Sequence, residues 1–211
     1  MTANTSRPDH PTGGSVYQRV LGDDFSLLGP RLQAYFGPIP EGWVGVGRGV
    51  YRVAGSGIRL LRPVLAVMAA RHVLFPEFEP DVPFTVANHP EPEGALGARR
   101  TFEFRRRTRV MEDTMTVVGG RLVDRLGKRR GLEVALDLSV VAGGLRMRST
   151  GLALHVGRLR VPLPQFAVMR LDERTDPDDD SRQSVDVRVD APVLGEIFRY
   201  TGDFVYELRK R

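Results

Sequence analysis

Between Arg99 and Leu208 the chain alternates apolar and polar residues almost without a break, punctuated only by short turn segments. The clearest run is Leu132, Val134, Leu136, Leu138 and Val140, interleaved with Glu133, Asp137 and Ser139. A period of two sends successive side chains to opposite faces, the mark of a half-buried strand. So many strands in sequence must curl, and a curled sheet encloses either its own side chains or a guest molecule. The pattern predicts an α+β fold: short N-terminal helices, then a strongly curved antiparallel β-meander of about eight to ten strands. The meander forms a barrel or half-barrel, with one helix covering an opening. Residues 15–208 are expected to form a single domain behind a disordered tail over residues 1–14.

Within the meander, Thr101–Val110, Glu112–Val118 and Arg121–Leu126 read as strands, with Gly119-Gly120 as a two-residue hairpin turn. Gly143-Gly144 reads as another. Leu145 and Met147 share one parity while Leu152, Leu154 and Val156 share the other, so a β-bulge is expected near Gly151. Phe166–Leu171, a strand around Val185–Val189, then Ile197–Thr201 and Phe204–Leu208 complete the sheet. Residues His89–Ala98 read as a loop, and Asp172–Ser181 as a solvated acidic hairpin tip. A long C-terminal helix is missing, which argues against a helix-grip fold in which such a helix closes the cavity.

Upstream, Ser15 can cap a helix over Val16–Leu21 that Gly22 stops, and Pro30 can open a second over Arg31–Phe36. Trp43–Val53 reads as a strand whose glycines, Gly45, Gly47 and Gly49, permit close backbone approach. From Ile58 to Val73 apolar residues recur at helical spacing beside Arg59, Arg62 and Arg71. Such a basic amphipathic helix can lie on a membrane; covering the mouth of a barrel is the favoured role here.

Composition narrows the chemistry. The net charge is +5, but 29 of the 31 basic residues are Arg, a skew that fits coding bias better than nucleic-acid binding. Cysteine is absent, which excludes disulfides and thiolate metal sites. The first residues have no apolar h-region, and the longest apolar stretch, Pro63–Ala70, is too short to span a bilayer. A soluble cytoplasmic protein with no transmembrane segment is expected.

Sites for catalysis, metals and cofactors find little support. Gly45-Val46-Gly47-Arg48-Gly49-Val50 puts Val50 where a dinucleotide loop needs its third glycine, so no cofactor site is expected. His10, His72, His89 and His155 lack metal-ligand spacing, and no serine sits in a nucleophile elbow. Asp23-Asp24 and Asp178-Asp179-Asp180 read as a helix start and a turn. Arg105, Arg106 and Arg107, in a basic cluster beside Phe102 and Phe104, are candidates to contact an anionic head group or acidic surface. A strand that buries both phenylalanines and solvates its other face is the simpler reading of that cluster.

Three stretches resemble a bacterial family. They are Ser15–Phe25 continuing to Phe36-Gly37, the Val161-Pro162-Leu163-Pro164 segment, and Pro192-Val193-Leu194-Gly195 with Arg199-Tyr200-Thr201-Gly202. Together they are similar to the proteins grouped as domain of unknown function 4166. The resemblance spans residues 15–208 and implies a domain that stands alone or follows a reductase-like dinucleotide-binding domain. It carries no catalytic residues. Gly97–Phe102 lacks a Trp that the family tends to show before an Arg and Phe.

These readings lead to a non-catalytic binding domain for an apolar or amphipathic, lipid-like small molecule. Met111, Met115, Met147 and Met169 are candidate lining residues. Trp43, Met147, His155, Arg199 and Tyr200 are the candidate ligand-facing groups. An accessory module docking on a reductase-like partner is the second reading. An enzyme acting on the bound guest through His155, Tyr200 or Glu196 is the third.

Overall fold

The computed structural model describes residues 13–211; the predicted tail lies almost wholly outside them. Ser15 caps α1 (Val16–Leu21), its hydroxyl accepting the Gln18 N–H at 3.2 Å. The Gln18 side chain returns the bond to the Ser15 N–H at 2.9 Å, completing a capping box. A 3-10 turn over Gly22–Leu27 leads to α2 (Pro30–Phe36), which starts on its proline. The first strand, β1 (Trp43–Gly55), is followed by a 3-10 turn and α3 (Arg62–Ala70). Ten more strands follow: β2 (Phe78–Glu91), β3 (Ala95–Phe104), β4 (Arg107–Val118), β5 (Arg121–Leu126), β6 (Leu132–Val141), β7 (Gly144–Val156), β8 (Leu159–Leu163), β9 (Val168–Thr175), β10 (Gln183–Ala191) and β11 (Gly195–Lys210).

Each strand pairs antiparallel with the next through β7, which then pairs β9; β10 and β11 follow, and β11 returns onto β1. Ten strands thus close a barrel, and β8 hangs on the far part of β7. The wall is weakest between β7 and β9. They pair only over Leu145–Arg148, after which Leu152–Val156 pair with β8 instead. The segment 164–167 bridges the gap, the Gln165 amide donating to the Ser149 carbonyl at 2.7 Å.

Because neighbouring strands run in opposite directions, alternate hairpin turns share an end of the barrel. α1 and α2 sit at one end, where Arg19 donates to the Gly94 carbonyl at 3.0 Å and the Gly29 N–H to that of Gly143 at 2.8 Å. The connection holding α3 lies at the other end, with the β3–β4, β5–β6, β7–β8 and β10–β11 turns. There the Lys128 N–H donates to the Arg71 carbonyl at 3.0 Å. Leu65 and Ala69 face inward from α3, so the helix covers that opening as the sequence predicts.

Several local readings change. Thr101–Val110 is a hairpin, not one strand: Arg105 and Arg106 form the turn between β3 and β4. Most of the predicted loop His89–Ala98 is strand, because β2 runs on to Glu91 and β3 starts at Ala95; period-two pairing tolerates its Pro and Gly at an irregular junction. The β6–β7 turn centres on Ala142-Gly143, both at positive φ, one residue earlier than expected. The expected bulge is present, with the register shifting between Ala135 and Leu136 opposite Gly151 and Ser149. Phe166 precedes β9, which begins at Val168. The last two predicted strands are one, since β11 passes through Gly202, where a Cβ would stand 2.3 Å from the Val50 carbonyl oxygen.

Candidate functional site

The pleat decides what faces inward. On β3 these are Ala98, Arg100, Phe102 and Phe104; on β4, Met111, Asp113 and Met115; on β5, Leu122, Asp124 and Leu126. The interior fills unevenly. One cluster joins Tyr51, Phe75, Phe84, Phe102, Phe198 and Phe204 around β1, β2, β3 and β11. A second joins aliphatic and methionine side chains of β4–β7 to α1 and α2. Between them, toward the α3 end, lies a cavity of about 490 Å³.

Leu132, Val134, Leu136, Met147, Met169 and Leu171 form much of its wall, and Leu65 and Met68 of α3 its cover. The charged groups enter from one sector. Arg100, Asp113 and Asp124 come from three adjacent strands, with Ser149 and Tyr200 elsewhere on the wall. Arg100 and Asp113 are hydrogen-bonded as an ion pair. Burial pushes the Asp124 carboxyl well above its usual range; the neighbouring Asp113 adds to the shift and Arg100 opposes it. Burial raises Asp113 as well, with Arg100 pulling the other way. Tyr200 is likewise pushed up to about 12 by burial. These groups can hold or exchange a hydrogen bond with a guest.

Of the residues singled out from sequence, Met111, Met115, Met147, Met169 and Tyr200 line this cavity. Trp43 opens β1 opposite Lys210, at the other end of the barrel. His155 points out of the barrel, where its Nε2 meets Glu133 at 2.6 Å. Burial would raise Glu133, but hydrogen bonds from His155 and Arg160 outweigh it and hold the carboxyl low. Arg199 also points outward, toward Glu196 at 3.4 Å and over the Phe78 ring. The parity left open by sequence is settled by unbroken alternation from Phe198 to Phe204, which turns Phe198 and Tyr200 inward, while β11 bulges at Ile197 opposite Val189 and Asp190. Arg105, Arg106 and Arg107 are exposed in and beside the β3–β4 turn, and Arg107 and Arg109 share Glu77. His155, Tyr200 and Glu196 therefore do not converge.

Sequence reasoning missed Arg100, Asp113 and Asp124. Their signal was present: each occupies an apolar parity, Asp113 between Met111 and Met115, Asp124 between Leu122 and Leu126. A charge on the inward side of a strand marks either a paired core group or a site.

No helix among the described residues is long and apolar enough to cross a membrane. In comparisons with known proteins, the chain is 25% identical over 205 residues to the uncharacterized protein YndH of Bacillus subtilis (strain 168), a match covering 93% of this chain and 98% of that protein. No solved structure matches. The model of one family, described as "Domain of unknown function (DUF4166)", matches residues 28–204, and with most of the barrel inside that span the chain belongs to this family.

Proposed function

We propose that the barrel is a non-catalytic container for an apolar or amphipathic small molecule, lipid-like in character. The cavity carries this reading. At about 490 Å³ it falls within the roughly 300–1,000 Å³ of pockets that hold small molecules, and like them it is mostly apolar with a few polar groups. Interiors built only for stability pack to the density of organic crystals, and unfilled volume costs stability. Five methionines on the wall, Met68, Met111, Met115, Met147 and Met169, suit a guest of variable shape. An accessory module that docks on a reductase-like partner needs a surface and no hollow, so the cavity favours the container.

The experiment is native mass spectrometry of gently purified protein, followed by organic extraction and a titration with the neutral fluorophore N-phenyl-1-naphthylamine. A co-purifying apolar molecule, or saturable fluorophore uptake that Val134→Phe abolishes, supports the reading. A clean apo mass with no uptake overturns it.

A further inference from the structure

The inner wall of the cavity specifies one end of the guest. Arg100, Asp113 and Asp124 project from β3, β4 and β5, and all three line the hollow. Asp113 Oδ2 and Asp124 Oδ1 are buried with no hydrogen-bond partner among the described residues. The Arg100 side chain keeps 17% of its surface exposed although the residue stands midway along an interior strand. That surface opens on the cavity. One guanidinium cannot neutralise two carboxylates in a low-dielectric interior, so one carboxyl keeps its proton. The cluster is then neutral overall and rich in donors: guanidinium N–H groups not used by Asp113, and a carboxylic O–H.

We infer that the guest is an apolar molecule with a neutral hydrogen-bond acceptor at one end, a carbonyl or hydroxyl oxygen, which binds at Arg100, Asp113 and Asp124. A carboxylate or phosphate there adds a negative charge without a counter-ion. A plain hydrocarbon leaves the buried polar atoms unpaired. The inference rests on the container reading.

Displacement of bound N-phenyl-1-naphthylamine at pH 7.5 by 2-decanone and by decanoate tests it. The ketone should displace the fluorophore at about tenfold lower concentration, the scale of one good hydrogen bond to a charged group. Asp124→Leu should shrink that advantage to under about twofold while the fluorophore still binds, and Asp124→Asn should retain part of it. Decanoate displacing as well as the ketone overturns the inference and leaves the container standing. No fluorophore uptake by the wild-type protein overturns both.

The rim of the cavity carries a second inference independently. Val64 of α3, Phe166 before β9 and Leu194 in the β10–β11 turn line the hollow, yet they are 59%, 59% and 44% exposed. Leu60, Val67 and Val193 extend this apolar lip outward. A contiguous exposed apolar surface around an opening marks a contact site. Around it Arg107, Arg130 and Arg160 are taken up by Glu77, Glu91 and Glu133. Arg59, Arg62 and Arg71 near α3, and Arg106, Arg129 and Arg158 in hairpin turns at the same end, are exposed and without such a partner among the described residues. The acidic β9–β10 turn, with Asp178, Asp179 and Asp180, lies at the opposite end.

We propose that this mouth docks on an anionic lipid bilayer, the apolar lip entering the interface and the arginines meeting lipid phosphates. A bilayer matches an apolar ring surrounded by unpaired cations, and an apolar guest of the container has its reservoir there. Flotation with vesicles of phosphatidylcholine alone, or with about 30% phosphatidylglycerol, tests it. The protein should float with the anionic vesicles, and less so when salt rises from about 50 to about 500 mM. Leu60→Glu with Val193→Glu, on the lip but outside the cavity lining, should abolish flotation while fluorophore uptake persists. Wild-type protein that takes up fluorophore but stays at the bottom of the gradient overturns docking and leaves the rim as a protein contact. Flotation without fluorophore uptake upholds docking and overturns the container.

Discussion

Two walls of one barrel solve the same filling problem in opposite ways. Around β11, β1, β2 and β3 the interior is aromatic: Tyr51 stacks on Phe84 with ring centroids 3.7 Å apart, and Phe75 meets Phe102, Phe104 and Phe198 edge-on at 4.8–5.0 Å. Room for those rings comes from glycines at inward positions of β1. A Cβ on Gly45 would stand 1.7 Å from the Tyr206 hydroxyl, and one on Gly47 2.5 Å from Val86. The wall of β4–β7 is different. From Arg105 to Gln165 the sequence has no Phe, Tyr or Trp, so that wall offers only aliphatic, methionine and a few polar side chains. A ten-stranded barrel is wider than the eight-stranded size that side chains just fill. Rings reach across one half; aliphatic chains from the other half do not, and the cavity is what remains. The difference teaches that the hollow follows from where the aromatic residues are placed.

Mutations should break the two walls unequally. The largest effect is expected for Gly49→Ala, whose new methyl would stand 2.1 Å from the Asp203 carbonyl oxygen. Backbone has to move, and urea denaturation should give a loss above about 4 kcal/mol or no folded protein. Phe102→Ala, fully buried among rings, should cost about 3–5 kcal/mol. Met147→Ala on the hollow wall should cost about 2 kcal/mol, the low end for such truncations, because it enlarges a hollow already present among adaptable side chains.

Next in size is a pH effect at the inner end of the interior. Burial pushes the Glu173 carboxyl up to about 7 from its ordinary 4.5, against the pull of the Gln183 amide at 2.5 Å and of Arg100. The folded state therefore holds this proton more tightly than the unfolded chain. Its contribution to stability is complete below about pH 4.5 and lost as pH rises through about 7. Glu173→Gln should stabilise the protein by about 1–3 kcal/mol at pH 8 and by little at pH 4.5, read from denaturation midpoints at the two pH values. A constant difference across that range would show that the carboxyl does not change ionisation there. The smallest effect sharpens the comparison most. Val134→Phe places a ring in the hollow and should change stability by less than about 1 kcal/mol while abolishing fluorophore uptake. A large loss would mean that the β4–β7 wall is already close-packed.

Much of the frame was legible from the residues. Strict alternation over Leu132–Val140, the helix cap at Ser15, the Gly119-Gly120 turn and the parity switch near Gly151 all correspond to local features of the structure. Local chemistry fixes these, since pleat, cap and turn depend on a few adjacent residues. The junctions were harder to read. Arg105-Arg106 forms a turn without glycine, and Gly202 lies inside a strand against the rule for glycine, because pairing partners distant in sequence decide both.

The site divides in the same way. The sequence by itself determined that the chain would make a curved antiparallel sheet with a helix available to cover an opening, because periodicity and turn chemistry act over a few residues. Which residues meet inside was decided only by tertiary structure. Closure of β11 onto β1 and the weak β7–β9 seam set the barrel's width and its mouth. The register of β3, β4 and β5 set Arg100, Asp113 and Asp124 on one wall. A one-residue slip turns every such side chain to the other face, so the turns and bulges that fix the register also decide whether a charge such as Asp124 meets water or a guest.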